Sequence, residues 1–312
     1  MDTRINSSLS VSAPSFFISP QELGSRLGHA DAPLLLDVRP QARYDGSSRM
    51  LVGAQRCAPQ DVPAFAAALS ASDPDRAVVA YCVYGHEVSA DAAAALRRAG
   101  LNAQALAGGF ERGQDGADDA QDIAKWRLTP SLTFAKRPDW GVPNEQSSRW
   151  VTRARPKIDR IACPWLIRRF IDPRAEFFYV LTEQVFSEAT RLNAVAFDIP
   201  GAPVSHVGEL CSFDALLAGF ELSTPGLEQL ARIVRGADTD CLSLAPQSAG
   251  LLAFSLGLSQ LHADDDVMLE AAMPFYDALY AWCSGAQNEP HNWAPQSSAP
   301  QNSAATTPRT TS

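Results

Sequence analysis

Apolar residues fall in two rhythms along the first third of the chain. Leu34–Val38, Ala77–Tyr81 and Ala103–Leu106 are short apolar runs that read as buried strands. Between them, Val62–Leu69 and Ser89–Ala99 read as helices, and Gly100 stands where a helix-ending glycine belongs. Ser19-Pro20-Gln21-Glu22 has the form of a capping box with proline at the first helical position, so a helix is expected to about Leu27. Strands alternating with helices predict a parallel sheet flanked by helices, an α/β architecture.

The pattern changes at residues 111–148. Asp115 to Asp122 is acidic, and Pro130, Pro138 and Pro143 follow, which reads as linker. A second pattern starts at Trp150-Val151-Thr152. It predicts a helix from about Arg160 to Ile171 capped by Asp159. A strand near Phe177–Val180, a helix near Glu183–Leu192 and a strand near Ala194–Phe197 follow. Beyond them lie helices at Phe213–Phe220, Thr224–Arg235, Gln247–Leu261 and Asp265–Trp282, the last kinked or divided by Pro274. The expected organisation is a disordered start (1–14), a first domain (15–114) and a linker (115–147). A mixed α/β to mostly helical second domain (148–284) and a disordered polar tail (285–312) complete it. The two domains are expected to fold separately.

Composition narrows the function classes. A chain of 312 residues suits two domains of ordinary size. No apolar stretch approaches a membrane span, and Met1 to Ala13 lacks the apolar core of a signal peptide, so a cytoplasmic location is expected. A net charge of −9 argues against nucleic acid as a partner. The six cysteines are widely spaced with no Cys-x-x-Cys, the pattern of free thiols in a reducing compartment.

Cys82 carries the first candidate chemistry. It ends the run Ala77–Tyr81 and opens the polar stretch Val83-Tyr84-Gly85-His86-Glu87-Val88 before a helix. A thiol between a strand end and a helix start faces backbone N–H groups and the helix dipole, which favour a thiolate and an anion bound to it. A buried core cysteine is the plain alternative. Leu35-Leu36-Asp37-Val38-Arg39, Tyr81-Cys82-Val83-Tyr84-Gly85 and Ala107-Gly108-Gly109-Phe110 together resemble a rhodanese domain over about residues 15–114. That resemblance implies sulfur transfer, with a small-molecule sulfane-sulfur donor such as thiosulfate, a Cys82 persulfide and a thiol acceptor. Asp37 and Arg39 are read as a supporting pair under the sheet. His86 could shuttle protons or cap the helix. The loop departs from ordinary single-domain members by one extra residue, as in phosphatases of this fold. Val88 stands where those phosphatases carry arginine, which argues against phosphatase chemistry. Glu87 adds negative charge where thiosulfate would approach, so thiosulfate is expected to be a weak donor.

The second half holds a denser signature. The run from Trp150 to Leu166, Ser205–Asp214, Arg235–Asp240 and Ala245–Gly250 resemble the C-terminal domain of the chromate-resistance family ChrB over about 148–284. The resemblance implies a role in chromate resistance or sensing. Residues 149–170 hold seven basic side chains against one acid, Asp159. Arg153, Arg155 and Lys157 alternate and would share one face of an extended segment; with Arg160 they form a candidate oxyanion site for chromate or sulfate. The plain alternative is a solvated edge. His206 and Glu209 are candidate ligands of a divalent metal, the one cofactor the sequence suggests, expected in a pocket with the Asp159 region. His262 could add a ligand, and Asp264–Asp266 reads as an acidic helix start. The expected function is rhodanese-type sulfur transfer joined to a chromate-resistance domain. The alternative is a non-catalytic oxyanion or metal sensor that uses the rhodanese fold as a binding module.

Overall fold

A computed structural model describes residues 15–110 and 132–288. The start (1–14), residues 111–131 of the expected linker and most of the expected tail lie outside the described residues. The first sheet has five parallel strands in the order β1-β6-β5-β2-β4. They are β1 (Phe17–Ile18), β2 (Leu34–Asp37), β4 (Ala54–Arg56), β5 (Val78–Tyr81) and β6 (Ala103–Leu106). The short helices α1 (Pro20–Gly24) and α2 (Gln41–Asp45) precede α3 (Val62–Ser72) and α4 (Glu87–Arg98). Period-two alternation divides the sheet. Leu36, Val38, Val78, Ala80 and Cys82 face the layer that holds Val62, Ala66, Ala92 and Leu96 of α3 and α4. Leu35, Val79, Tyr81 and Leu106 face the other way.

That other face explains a difference from the expected organisation. It belongs to one continuous apolar cluster that runs through Phe134, Val142, Trp150, Trp165, Phe170 and Tyr276. The two halves therefore share a core rather than each closing its own. Residues 132–148, read as linker, are built into that shared core. Strand β7 (Thr133–Ala135) pairs antiparallel with β3 (Arg49–Leu51), and Phe134 is fully buried. Ala135 N–H donates to the Phe220 carbonyl, Arg56 N–H to the Asn144 carbonyl, and Gly53 N–H to the Phe170 carbonyl. Charged and proline-rich composition hid a segment in which Phe134 and Val142 are fully buried and Leu132 and Trp140 pack against the core. Protease treatment of the folded protein should leave the bonds of residues 132–148 intact; cleavage there as fast as in urea would contradict this packing.

The second half places a three-stranded parallel sheet, β10-β8-β9, against helices. Its strands are β8 (Arg149–Arg153), β9 (Glu176–Val180) and β10 (Val195–Ala196). The helices are α5 (Asp159–Leu166), α6 (Val185–Leu192), α7 (Ser212–Gly219), α8 (Pro225–Asp238), α9 (Ser248–Leu261) and α10 (Asp265–Ser284). A π turn, Ile167–Ile171, continues α5. Helix α10 is one assigned helix across Pro274 and is not divided there. The acidic start read there supplies a cap as well: Asp264 accepts from Asp266 and Val267 N–H. No helix among the described residues is long and apolar enough to cross a membrane.

Candidate functional site

Two sites merit description, and the first is the loop between β5 and α4. Cys82 directly follows β5, and α4 begins at Glu87. Its Sγ lies 3.2 Å from Ser89 Oγ, so the thiol rests against the first turn of α4. The leading N–H groups of a helix lack intrahelical partners, and the dipole there favours negative charge. Gly85 sits at φ 75°, tightly against Gly108 and Gly109. A Cβ on Gly85 would come within 2.5 Å of Gly109 N and 2.6 Å of Gly108 N, so only glycine fits. Phe110 N–H donates to the Cys82 carbonyl at 2.8 Å, fastening the closing turn beneath the thiol. Val83 is buried, while Tyr84 and Val88 flank the loop; His86 precedes α4 with its ring near Tyr84, and Glu87 is exposed in the first turn. Ser89 is the contact sequence reasoning missed; its only signal is a hydroxyl in the first turn after a cysteine loop.

Asp37 and Arg39 form a fully buried ion pair, with Arg39 Nη2 donating to Asp37 Oδ2 at 2.6 Å. Tyr81 Oη donates to the same carboxylate at 3.0 Å, and the Arg39 guanidinium lies over the Phe110 ring. The pair thus supports the floor under the Gly108-Gly109-Phe110 turn. Burial and the Asp37 charge push the Tyr81 phenol well above its ordinary value, so it stays a donor.

The second site lies where α5, α7, α8 and the loop after β10 meet. His206 Nε2 is 3.5 Å from Asp159 Oδ2, 3.3 Å from Asp198 Oδ1 and 3.2 Å from Asp238 Oδ2. The expectation that His206 meets the Asp159 region holds, while Glu209 is exposed on a turn and is not part of the ligand group among the described residues. His262 lies at the end of α9, also outside that group. Asp159 does not cap its own helix. Its carboxylate accepts from Ser212 and Phe213 N–H at 2.7 and 3.0 Å, capping α7 instead, and from Cys163 Sγ. Asp198 accepts from Ser212 Oγ, and from Arg153 Nη2 at 2.8 Å, with Arg160 Nε 3.2 Å away. Hydrogen bonding to Asp159 and the charges of the three aspartates raise the His206 imidazole to about 9, against partial burial. Burial and the charges of Asp159 and Asp198 raise Asp238 out of the usual carboxylate range, opposed by His206.

The four candidate oxyanion residues do not form one face. Strand β8 ends at Arg153, and Arg155 turns at φ 57°, which breaks the alternation. Arg155 instead closes the end of α9, donating from Nη1 to the His262 carbonyl at 2.8 Å and from Nη2 to the Ser259 carbonyl. Arg153 and Arg160 come together on Asp198, inward rather than toward an external dianion. Lys157 is half-buried on the turn into α5. Asp198 and Asp238 were missed by sequence reasoning. Asp198 has no local signal beyond following a buried strand, while Asp238 stands at a helix end within the Arg235–Asp240 run and was not read as a site residue.

Comparison with known proteins gives a match for each half. Residues 19–115 match the rhodanese-like domain family, and residues 150–283 match the ChrB C-terminal domain family. Protein ChrB from Cupriavidus metallidurans is 35% identical over 136 residues, which are 43% of this chain and 40% of that protein. The chain therefore matches well under half the length of that curated relative. Among solved structures, an As-Sb reductase from Leishmania major is 18% identical, with a TM-score of 0.30 over 39% of this chain and 87% of that one. A rhodanese homologue from Thermus thermophilus is 24% identical, with a TM-score of 0.24 over 31% and 99% of the two chains. A rhodanese-like domain protein from Staphylococcus aureus is 20% identical, with a TM-score of 0.27 over 33% and 95%. The first half has the rhodanese-like parallel sheet with flanking helices, and the second half is helix-rich.

Proposed function

We propose that this chain, which joins a rhodanese-like domain to a ChrB C-terminal domain, is a cytoplasmic sulfurtransferase that acts through a Cys82 persulfide in chromate resistance. The observation that carries the reading is the position of the Cys82 sulfur against the first turn of α4, fixed by Ser89 and by the Gly85–Gly109 contact. In the first step the Cys82 thiolate attacks the outer sulfur of a donor. An S–S bond forms, the donor's own bond to that sulfur breaks, and its remnant leaves with the electron pair, as sulfite does from thiosulfate. The terminal sulfur then carries the negative charge, which the unpaired N–H groups of a helix start favour. In the second step an acceptor thiolate attacks that terminal sulfur, and the Cys82 thiolate departs. Glu87 at the mouth disfavours a dianionic donor, so polysulfide or a mercaptopyruvate-type donor should outperform thiosulfate. All six cysteines are free thiols, in keeping with a reducing compartment.

A second reading is favoured by one observation, the near-complete burial of Cys82 at 4% exposure. It makes the first domain a binding module and the protein a sensor. Turnover separates the two. Wild type supplied with a sulfane donor and a thiol acceptor should form acceptor persulfide, and Cys82→Ser should form none above background. Equal rates with and without wild-type protein would leave the sensor reading.

A further inference from the structure

The imidazole of His206 meets the carboxylates of Asp159, Asp198 and Asp238, and ligand atoms of His206, Asp159 and Asp198 all lie within 4.8 Å of one another. A single imidazole N–H can donate to only one of three oxygens. The three separations, 3.2–3.5 Å, exceed the roughly 2.7–2.9 Å of a charge-assisted N–H···O bond. They match a different arrangement. Nitrogen and oxygen donors each about 2.0–2.2 Å from a common first-row cation lie about 3–3.6 Å apart at right-angle to tetrahedral geometry.

The charges point the same way. Asp198 is matched by Arg153 and Arg160, which also hold its carboxylate in place. Asp159 is nearly inaccessible, and its carboxylate is oriented by two backbone N–H groups and the Cys163 thiol. Asp159 pairs with no arginine or lysine within 4 Å among the described residues, and buried carboxylates without compensation are costly. His206 is 39% exposed, so the spot is reachable from solvent.

We infer that Asp159, Asp198 and His206 form a binding site for a divalent first-row cation, with His206 at its solvent side and Asp238 beside it. A set of one imidazole and two carboxylates suits a borderline-to-hard ion such as Mn²⁺ or Fe²⁺ over a thiophilic one. Guanidinium support of Asp198 and N–H support of Asp159 would orient these ligands from behind. The site is independent of Cys82, so its failure leaves the sulfur-transfer reading standing, and the converse also holds.

The test uses the full chain, stripped with chelator, and Mn²⁺ alone, because thiols such as exposed Cys241 compete poorly for that ion. Equilibrium dialysis of wild type should give one Mn²⁺ per chain. His206→Ala and Asp198→Asn should each weaken binding by about 10–100-fold or more, and Glu209→Gln should bind as wild type does. Added Mn²⁺ should raise the melting temperature of wild type and not that of His206→Ala, which checks the same site in protein shown to be folded. No Mn²⁺ on wild type, or equal affinity in wild type, His206→Ala and Asp198→Asn, would overturn the inference. Loss of binding in Glu209→Gln alone would do so as well.

Discussion

Arg39→Met is expected to destabilise the protein by about 3–5 kcal/mol, because it strands the Asp37 carboxylate as a buried, unpaired charge. Both side chains are fully buried, and the guanidinium also donates to the Arg49 carbonyl at 3.0 Å and covers the Phe110 ring. Tyr81 Oη would remain as a donor to Asp37, which offsets part of the loss. The double variant Asp37→Leu/Arg39→Met should recover much of the stability, since removing both charges removes the desolvation penalty with the pair. Urea unfolding of wild type, both single variants and the double variant measures this. A cost under about 1 kcal/mol for Arg39→Met would mean that the pair is solvated, as exposed pairs are.

Gly85→Ala should cost more function than stability. At φ 75° an alanine is strained by about 1 kcal/mol before any contact is counted. Its Cβ would also press on Gly108 N, Gly109 N and, at 2.7 Å, the Leu106 carbonyl, all backbone atoms that cannot swing aside. The turn and the loop must part, and the Phe110 N–H bond to the Cys82 carbonyl goes with them. Misplacing a nucleophile by about 1 Å lowers rates on the order of 100-fold, which is the expected loss in the rate of sulfur loading. Single-turnover loading of Gly85→Ala at the wild-type rate would show that the glycine contact does not position Cys82.

Much of this architecture was legible in the pattern of apolar positions, for physical reasons. Strands β2, β5 and β6 are buried on both faces, so they read as continuous apolar runs. Helix α8 declares itself through Thr224, which accepts from Leu227 N–H, and through Pro225. Strand β4 went unread because Gln55 and Arg56 are buried polar residues, with Arg56 spent on the Asp37 carbonyl. Strand β7 was hidden by the charged and proline-rich residues around Phe134. The Cys82 loop was legible because one short segment holds all of it. The His206 site was legible only in part, because its residues meet through tertiary packing. Arg153, Arg155 and Lys157 misled for a related reason. Alternation implies a shared face only while the chain stays extended, and it turns at Arg155.

Persulfide formation on Cys82 is the claim on which the account turns, and intact-protein mass spectrometry tests it most directly. Wild type and Cys82→Ser, reduced and freed of small molecules, would be treated in parallel with polysulfide, a mercaptopyruvate-type donor and thiosulfate. Wild type should gain the mass of one sulfur atom, mapped to Cys82 and reversed by a thiol reductant, with thiosulfate the weakest donor. Cys82→Ser should gain none at that loop. A wild-type protein that takes up no sulfur from any of the three, or that takes it up equally without Cys82, would contradict the account.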